Sequence, residues 1–399
     1  MTVASAADES AAPSRDLIAG IVVRHRDEII DVSRRIHADP EVAFGEYHAA
    51  SLVAEVVERH GYVVERGVGG LATAIRGTLI GGLGADGPTI GVLAEYDALP
   101  GLGHGCGHNT MAASGVGAAI ALAELAPRFR GRVVFLGTPA EELGSGKEIL
   151  LQAGVFEGID AALLFHPSDR THTRVILLAS EDVDVVFTGL QSHAASDPWM
   201  GRNALDAMVA LFTSIGLWRQ QLRPETRVHG IITDGGTAAN MIPARTAGRF
   251  MIRARDQATY DSMRSRFEDL VRAAGLATGC EGSVTFSGRS TAMRNNEVLA
   301  QLWSANMAAA GVSDGQPVAE LSGSSDMGNV SLVVPSIHPC LAICEEGVAG
   351  HSIEFRDAAA TPRADSVTLL AATLVAQTAW QLLDDPSLVN TAWQEHRDG

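Results

Sequence analysis

Reactive side chains follow four apolar runs of this sequence, each of which is predicted to be a β-strand. The runs and the residues that come after them are Thr89–Ala94 with Cys106 and His108, Val133–Leu136 with Glu141 and Glu142, Ala162–Phe165 with His166, and Leu341–Cys344 with His351. In open α/β sheets, ligands bind in the crevice outside the carboxyl ends of the strands. The sequence therefore predicts that these thiol, imidazole and carboxyl groups converge at one edge of a sheet.

A thiolate, several imidazoles and a carboxylate are the ligand types that hold a divalent transition metal. The predicted ligands are Cys106, His108, Glu142, His166 and His351. Mixed sulfur, nitrogen and oxygen ligands suit Zn2+, and Mn2+ or Co2+ stay open as alternatives. Five ligands exceed what one tetrahedral ion needs, which favours two ions. Glu141 is then left to take a proton from a metal-activated water.

Each of these motifs also has a less specific interpretation. A Glu-Glu pair is usually a solvated surface, a histidine before proline such as His166 is more often a hydrogen-bonded loop residue, and Cys-Gly-His by itself is a weak signal. The joint placement of the motifs after successive strands is what favours the metal site. Cys340 and Cys344 also lie close together, but in an apolar stretch, and we interpret them as buried structural thiols.

The composition predicts a soluble globular protein. The 399 residues are 46% hydrophobic and 19% charged, which is typical of folded chains long enough for two domains. The formal net charge of −17 repels phosphate backbones, so we expect no nucleic-acid partner. No uninterrupted apolar run reaches the roughly 18 residues of a membrane span, and residues 1–15 lack the pattern of a secretory signal, so we expect no membrane partner and a cytoplasmic location.

Predicted strands and helices, among them helices at Leu17–Ala38 and Met111–Leu125, alternate from the N-terminus to about residue 180, which is typical of an α/β domain whose mostly parallel sheet is flanked by helices. The order then changes to β-α-β-β-α-β, the ferredoxin-like arrangement. The elements of this stretch are Val183–Thr188, Ala204–Leu222, Arg227–Thr233, Thr246–Arg253, Gln257–Ala274 and Ser283–Phe286. The simplest organisation is one discontinuous α/β domain, residues 1–180 and 289–399, with an α+β domain, residues 181–288, inserted into it.

Motifs spread along nearly the whole chain resemble those of one enzyme family. The matching stretches are Arg34–Glu41 with Phe44 and Glu46, Ala94–Pro100, Gly103–Asn109, Gly137–Glu142, Phe165–Pro167, Ser192–Ala194, Asn240–Pro243 and Gly350–His351. At these positions the sequence resembles the M20 metallopeptidase family, specifically its aminoacylase/carboxypeptidase-like amidohydrolase branch, to which the Cys-x-His element is specific. The resemblance implies a metallopeptidase-type catalytic domain and an inserted lid domain that forms a homodimer and closes over the active site.

The same resemblance implies roles for individual residues. Cys106, His108, Glu142, His166 and His351 would bind one or two divalent ions, Mn2+ or Zn2+ with Co2+ open, Asp97 would support the metal site, and Glu141 would act as general base and acid. From the inserted domain, His193 would stabilise the oxyanion and Asn240 would help to hold the substrate. Arg253 could pair with a substrate carboxylate, although an arginine on such a strand is more often a structural ion-pair partner.

The predicted reaction is hydrolysis of an amide-type C–N bond in a small molecule by metal-activated water, with Glu141 as the base. The substrate classes that the resemblance implies are N-acyl amino acids, aminobenzoyl-amino acids and dipeptides. Two alternatives stay open: the same machinery could attack another C–N bond, such as that of an aryl amine, or the chain could be a catalytically silent binding protein. The intact ligand set and the intact Glu141-Glu142 pair speak against the silent protein.

Overall fold

The computed structural model describes residues 15–315 and 323–398 of the chain. These residues form two compact units. The first unit contains residues 15–175, 294–315 and 329–398, and the second contains residues 176–293 and 323–328. The insert predicted at residues 181–288 lies within the second unit. Of the stretch 1–15, which the predicted cytoplasmic location depends on, only Arg15 lies within the described residues.

The elements that precede the second unit contain most of the reactive motifs. In chain order they are α1 (Arg15–Arg24), α2 (Arg26–Ala38), α3 (Tyr47–Arg59), β1 (Val63–Arg66), β2 (Ile75–Ile80), β3 (Thr89–Glu95), α4 (His108–Glu124), β4 (Arg132–Thr138), α5 (Glu141–Gly144), α6 (Gly146–Gln152), β5 (Ala161–Leu163) and β6 (His166–Ser168).

The remaining elements build the second unit and complete the first. Those of the second unit are β7 (Ala179–Thr188), β8 (Ser192–His193), α7 (Ala204–Trp218), β9 (Arg227–Asp234), β10 (Met241–Ile242), β11 (Arg245–Ala254), α8 (Gln257–Thr278) and β12 (Glu281–Ser290). They are followed by α9 (Glu297–Ala309), α10 (Met327–Val333), β13 (Ser336–Ile337), β14 (Cys340–Ala342), α11 (Ile353–Ala358), α12 (Pro362–Asp384) and α13 (Pro386–Asp398).

The first unit is built on a six-stranded sheet with the strand order β1-β2-β4-β3-β5-β13. β3 lies between β4 and β5 and is parallel to both, and β13 is parallel to β5. β2 and β1 run antiparallel to their neighbours at the other edge. Every residue of β3 is buried, as expected for a central strand that is covered on both faces. The predicted α/β fold with a mixed, mostly parallel sheet is confirmed.

Small residues let the helices of the first unit approach the sheet and each other closely. α4 and α12 pack against β3, and α1, α2 and α3 pack against α4. A Cβ at Gly115 of α4 would lie 3.0 Å from the carbonyl oxygen of Leu93, and one at Gly117 would lie 2.8 Å from the Cβ of Ala372. The Gly and Ala content of α4 therefore holds this helix directly between β3 and α12.

The second unit contains a four-stranded antiparallel sheet with the strand order β12-β7-β11-β9. Alternate residues of β7 and β11 are buried in a core shared with α7 and α8, with Val185, Phe250 and Phe267 among its members. The chain order of these elements is β-α-β-β-α-β, which is the predicted ferredoxin-like arrangement. A short antiparallel ribbon of β8 and β10 also belongs to this unit.

Three predicted elements differ from the observed ones. The helix predicted at Leu17–Ala38 is divided into α1 and α2 at His25, whose ψ of 12° departs from helical geometry. α4 begins at His108, so the last residue of the Cys-Gly-His motif is already helical. The strand predicted at Leu341–Cys344 is β14, which pairs in parallel with β6 in a separate two-stranded sheet. His166 therefore follows the end of β5 in the six-stranded sheet, as predicted, whereas His351 follows a strand that lies outside that sheet.

One described helix, α12, is long and apolar enough to cross a membrane by length and composition alone. In the structure, 72% of its most apolar window is buried inside the protein. A core helix of a folded domain meets the same criteria, so this helix is weak support for a membrane span.

Candidate metal centre

Cys106 and His108 lie at the start of α4, after the loop that leaves β3. Gly107 between them has a φ of 77°, and a Cβ there would lie 2.7 Å from the Pro167 ring, so the turn into the helix requires glycine. The His108 side chain is fully buried, and its Nδ1 lies 3.0 Å from both a carboxylate oxygen and the carbonyl oxygen of Asp97. Because both partners are acceptors, Nδ1 carries the proton and Nε2 offers a lone pair.

Glu141 and Glu142 begin α5, the short helix that follows β4. The residues that flank α5, Ala140 and Ser145, have φ values of 61° and 48°, which residues other than glycine rarely adopt. A carboxylate oxygen of Glu46 accepts a hydrogen bond of 2.9 Å from the Ala140 N–H and so stabilises this turn. Backbone strain of this kind often occurs at functional sites. Here it flanks the short helix that carries two adjacent glutamates.

Asp97 connects α5 to α4 through its two carboxylate oxygens. One oxygen accepts from the His108 ring, and the other accepts from the Glu142 N–H at 2.9 Å. The side chain is almost completely buried. Asp97 thus orients one predicted metal ligand directly and the backbone of another, which fits the supporting role that the resemblance implies.

His166 and His351 reach the same region from β6 and from the loop before α11. Nδ1 of His166 donates to the Pro167 carbonyl at 2.6 Å, and its Nε2 lies 3.5 Å from Sγ of Cys106. His351 has a φ of 60°, and its backbone N–H donates to the carbonyl of Gly105 at 2.9 Å. This hydrogen bond fixes the His351 loop to the loop that carries Cys106.

The ligand atoms of the five predicted metal ligands form two groups, within each of which all atoms lie within 4.8 Å of one another. The groups are Cys106 with His108 and His166, and Cys106 with Glu142 and His351. Representative separations are 3.5 Å for Cys106–His166 and 3.4 Å for Glu142–His351. Ligand atoms around a tetrahedral ion lie roughly 3.3–3.8 Å apart, so each of these two pairs has the spacing of ligands on one ion. Cys106 belongs to both groups.

Two buried ligand atoms lack a hydrogen-bond partner within the described part of the chain, namely Nε2 of His108 and Oε1 of Glu142. They lie 3.9 Å apart. Buried polar atoms are almost always satisfied, and an imidazole lone pair facing a carboxylate oxygen needs a positive charge between or beside them. A divalent cation supplies such a charge, so the residues present fit the metal that the resemblance implies.

The ionisation of the buried groups is set by desolvation and by their neighbours. Burial raises the pKa of the Cys106 thiol, and the nearby Glu142 raises it further. Burial and then His108 lower the pKa of His166 to about 4, which keeps this imidazole neutral and able to bind a metal. Burial lowers the pKa of His108, but Cys106 and Asp97 raise it well above its usual value, so a proton competes with a metal for the lone pair of Nε2. His108 therefore lies in surroundings that favour a cation.

Comparison with known proteins places the chain in a family. The family model described as Peptidase family M20/M25/M40 matches residues 88–373. The Xaa-Arg dipeptidase of Mus musculus is 37% identical over 382 residues, which cover 92% of this chain and 88% of that protein. The chain belongs to peptidase family M20/M25/M40. The family resemblance predicted from the motifs is confirmed.

Other relatives of this M20 family chain agree with that assignment. A p-aminobenzoyl-glutamate hydrolase subunit of Escherichia coli (strain K12) is 28% identical over 453 residues, covering 93% of this chain and 92% of that protein. Among solved structures, an aminobenzoyl-glutamate utilization protein from Klebsiella pneumoniae has a TM-score of 0.72 at 20% identity, covering 91% of this chain and 98% of that chain. A dinuclear metal binding peptidase from the M20 family of Bacillus subtilis has a TM-score of 0.70 at 19% identity, covering 91% and 99%. At these identities the two structures show a shared fold.

The second unit of this M20 family chain contains the remaining predicted site residues. His193 in β8 pairs with Met241 in β10, and the Ala194 N–H donates to the carbonyl of Asn240 at 3.0 Å, so His193 and Asn240 lie together. Nδ1 of His193 accepts hydrogen bonds from the backbone N–H groups two and three residues later. Its proton is therefore on Nε2, in the tautomer that can donate to an oxyanion.

Arg253 lies on β11, on a different strand of the second unit. Its Nε donates to the sulfur of Met251 at 3.1 Å, and its side chain is half-buried. Within the described residues of this unit, Arg253 forms no ion pair shorter than 4 Å. Among those residues, no acidic side chain supports the alternative interpretation of Arg253 as a structural ion-pair partner.

Four residues contact the predicted site but were not assigned a role from the sequence. Glu95 lies 3.3 Å from Nε2 of His108 and forms an ion pair with the fully buried Lys147. His338 is buried and stacks on the ring of His166 at 5.2 Å, and burial lowers its pKa well below the usual value. Glu46, the fourth, supports α5. Glu95 and Glu46 lie within the motifs that match the family, so the sequence offered a signal for them. Lys147 follows a Gly-Ser-Gly stretch that is typical of an exposed loop, and its sequence context gave no sign of a buried position.

Gly146 is needed to bring α6 close to the strand end that precedes α5. A Cβ at this position would lie 1.8 Å from the backbone carbonyl oxygen of Pro139, which a side-chain movement cannot relieve. We expect Gly146→Ala to lower the free energy of unfolding by about 3 kcal/mol, because such overpacking displaces backbone. Urea unfolding followed by circular dichroism measures the change. Gly20→Ala in α1 is the matched control: no atom lies within 4 Å of its Cβ, so stability should stay equal or rise by about 1 kcal/mol.

Proposed function

We propose that the protein is a metal-dependent amidohydrolase that cuts an amide-type C–N bond in an N-acyl amino acid, an aminobenzoyl-amino acid or a dipeptide. The observation that carries this proposal is the pair of ligand groups that share Cys106 beside Glu141 and Glu142. The relatives named Xaa-Arg dipeptidase and p-aminobenzoyl-glutamate hydrolase support the substrate class, since both names describe small amide substrates.

The proposed ligands are Cys106, His108, Glu142, His166 and His351. The two ligand groups, which have Cys106 in common, would hold two ions, and the dinuclear neighbour from the M20 family supports the same number. We infer Zn2+ or Mn2+, with Co2+ as a further candidate, because a thiolate and imidazoles accompany a carboxylate. When bound, such ions polarise the scissile carbonyl and lower the pKa of the attacking water.

The protein's own side chains would perform the proton transfers. Glu141 accepts a proton from the water as the water oxygen adds to the carbonyl carbon. Nε2–H of His193 donates a hydrogen bond to the oxyanion that develops on the former carbonyl oxygen. Glu141 then passes its proton to the nitrogen as the C–N bond breaks, which leaves a carboxylic acid and an amine. Asn240 beside His193 would help to hold the substrate, and Arg253 would pair with a substrate carboxylate.

Assays of purified protein with defined substrates test this function. The panel contains dipeptides with basic and neutral C-terminal residues, N-acyl amino acids and p-aminobenzoyl-glutamate, each assayed with added Mn2+ or Zn2+ and after chelation. We expect hydrolysis of at least one class, loss of activity after chelation and recovery when metal is returned. Activity that survives complete removal of metal would contradict the proposal.

Two other functions are distinguished by the same assays. Release of ammonia from an aryl amine, without hydrolysis of any amide, would indicate that the machinery acts on a different C–N bond. Tight binding of an amide substrate without turnover in the metal-loaded protein would indicate a silent binding protein. The adjacent Glu141 and Glu142, held in a strained turn at the ligand groups, favour catalysis over silent binding.

We also propose that the protein is a cytoplasmic homodimer that assembles through the second unit and has no membrane or nucleic-acid partner. β9 is an edge strand of its sheet, and Ile231 on β9 and Leu217 on α7 are 64% and 73% exposed. An apolar sheet edge of this kind is suited to pairing with a second copy. All four cysteines are free thiols, as in reducing compartments.

Light scattering should give twice the chain mass of 41.8 kDa, and Ile231→Glu should reduce the mass to that of one chain.

A further inference from the structure

A further group of metal-binding residues lies in the first unit, at the other end of α4 from the candidate metal centre. His25 joins α1 to α2, Glu28 lies in the first turn of α2, and His60 follows the last residue of α3. A ring nitrogen of each histidine and a carboxylate oxygen of Glu28 all lie within 4.8 Å of one another. His25 also contacts Glu124, the last residue of α4, and the 17 residues from His108 to Glu124 make this helix about 24 Å long.

The hydrogen bonds of this group direct its ligand atoms toward one another. Nε2 of His25 donates to a carboxylate oxygen of Glu124 at 2.7 Å, so Nδ1 of the neutral ring carries a lone pair. That Nδ1 lies 3.5 Å from Oε2 of Glu28, and Nε2 of His60 lies 3.0 Å from the same oxygen. An ion bound here would displace the proton that His60 shares with Glu28. A carboxylate that holds the second nitrogen of an imidazole, as Glu124 does, typically accompanies a metal-bound histidine.

Three helices end beside this group, and helix C-termini favour a cation. α1 ends at Arg24, α3 ends at Arg59 and α4 ends at Glu124. The guanidinium of Arg59 binds Oε1 of Glu28 at 2.8 Å, and that of Arg24 binds Oε2 of Glu124, so each arginine holds the carboxylate oxygen that does not face a histidine. Because the two arginines balance the two carboxylates, affinity for an ion would come from the lone pairs of the ligands and from the helix ends.

Stability alone gives little reason for this arrangement. The side chains of His25, Glu28 and His60 are 25%, 29% and 19% exposed, and ion pairs at such partly solvated positions typically contribute less than about 1 kcal/mol. The helical pattern of the sequence is nevertheless interrupted at His25, where neither glycine nor proline requires a break. The interruption places the His25 ring between Glu28 and Glu124, in contact with solvent from which an ion can enter.

We propose that His25, Glu28 and His60 form a separate metal site that binds one divalent transition ion such as Zn2+, with Glu124 as the residue that positions His25. Two imidazoles and a carboxylate suit Zn2+, and three protein ligands leave its fourth position to water. The ion fastens the junction of α1 and α2 to the end of α3. This site has no ligand in common with the candidate metal centre, so the proposal does not depend on the proposed hydrolase function.

Zinc retention tests the proposal, measured by elemental analysis after equilibrium dialysis against a fixed free Zn2+ concentration. The wild type should retain one ion per chain more than His25→Gln or His60→Gln, because each variant removes a ligand and weakens this site about 100-fold. Glu124→Gln should weaken it about tenfold, since the amide still accepts from His25 but carries no charge. The matched control is His396→Gln, which changes a half-buried histidine of the same unit that contacts the Leu332 carbonyl and should leave zinc content unchanged.

Circular dichroism confirms that each variant is folded, and if one histidine variant does not fold, the other decides. Equal zinc content in the wild type and a folded His25→Gln or His60→Gln protein would overturn the proposal and leave the group as a surface network of hydrogen bonds. An equal loss of zinc in His396→Gln would also overturn it, because binding would then be non-specific. A wild type that retains the His60-dependent ion and no other would instead contradict the proposed function and support this site.

Discussion

Replacing Glu141 by glutamine should lower kcat by about 10³-fold while the metal content and KM stay close to those of the wild type. Glutamine preserves the size of the side chain but cannot accept a proton from the attacking water or return it to the leaving nitrogen. Glu141 is the first residue of α5 and its ligand atom lies within 4.8 Å of those of Glu95 and His108, so it adjoins the ligand groups without being one of the five ligands. Steady-state kinetics on the best substrate, together with elemental analysis, measures the effect.

The control for this variant is Glu157→Gln, which changes an exposed glutamate of the same unit and should leave kcat unchanged. A Glu141→Gln protein that keeps more than a tenth of the wild-type kcat would remove Glu141 from the role of general base. Loss of metal from the same variant would assign Glu141 to the ligands instead. Measuring metal content and kcat on one preparation separates these two outcomes.

Replacing Cys106 by alanine should weaken the binding of divalent metal by about 100-fold or more, and activity should be lost with the metal. Cys106 is the one residue that belongs to both ligand groups, so its removal affects both proposed ions at once. Removal of His351, which belongs to one group, should have a smaller effect on total metal content. Elemental analysis after equilibrium dialysis against a fixed free metal concentration measures the number of ions retained.

Cys344→Ala is the matched control for Cys106→Ala. Cys344 is a buried thiol of the same unit, its Sγ lies 3.9 Å from the carbonyl oxygen of Ser168, and neither of the two ligand groups contains it. Its replacement should leave metal content and activity unchanged. A Cys106→Ala protein that retains the full complement of metal, with native circular dichroism, would contradict the proposal that Cys106 is a ligand common to both groups.

The parts of the site that were predictable from the sequence are those with a local signature. A glycine, which is typical of a sharp turn, separates Cys106 from His108. Glu141 and Glu142 follow an apolar strand. Such short-range patterns state where a strand ends and a helix begins, and they are legible without knowledge of the fold. The β-α-β-β-α-β order of the second unit was predictable for the same reason, since alternating and helical periodicities differ along the chain.

Long-range contacts were not predictable in this way. Lys147 follows a Gly-Ser-Gly stretch that suggests an exposed loop, yet Gly146 allows α6 to lie so close to Pro139 that Lys147 is buried against Glu95. The strand predicted before His351 is present as β14, but its pairing with β6 was not predictable, because strand pairing depends on tertiary packing. The division of the first predicted helix at His25 carries no glycine or proline as a local signal.

The α/β class, the β-α-β-β-α-β order of the second unit and the side chains available for a metal site could all be read from the amino-acid sequence, because they follow from residue order and periodicity. The family was recognisable from the resemblance of its motifs. Three-dimensional packing was needed to show that Cys106 is common to two ligand groups, that Asp97 contacts both His108 and the Glu142 backbone, and that Lys147 forms a buried ion pair with Glu95. The physical reason is that charge balance and coordination depend on distances across space, which chain order alone does not specify.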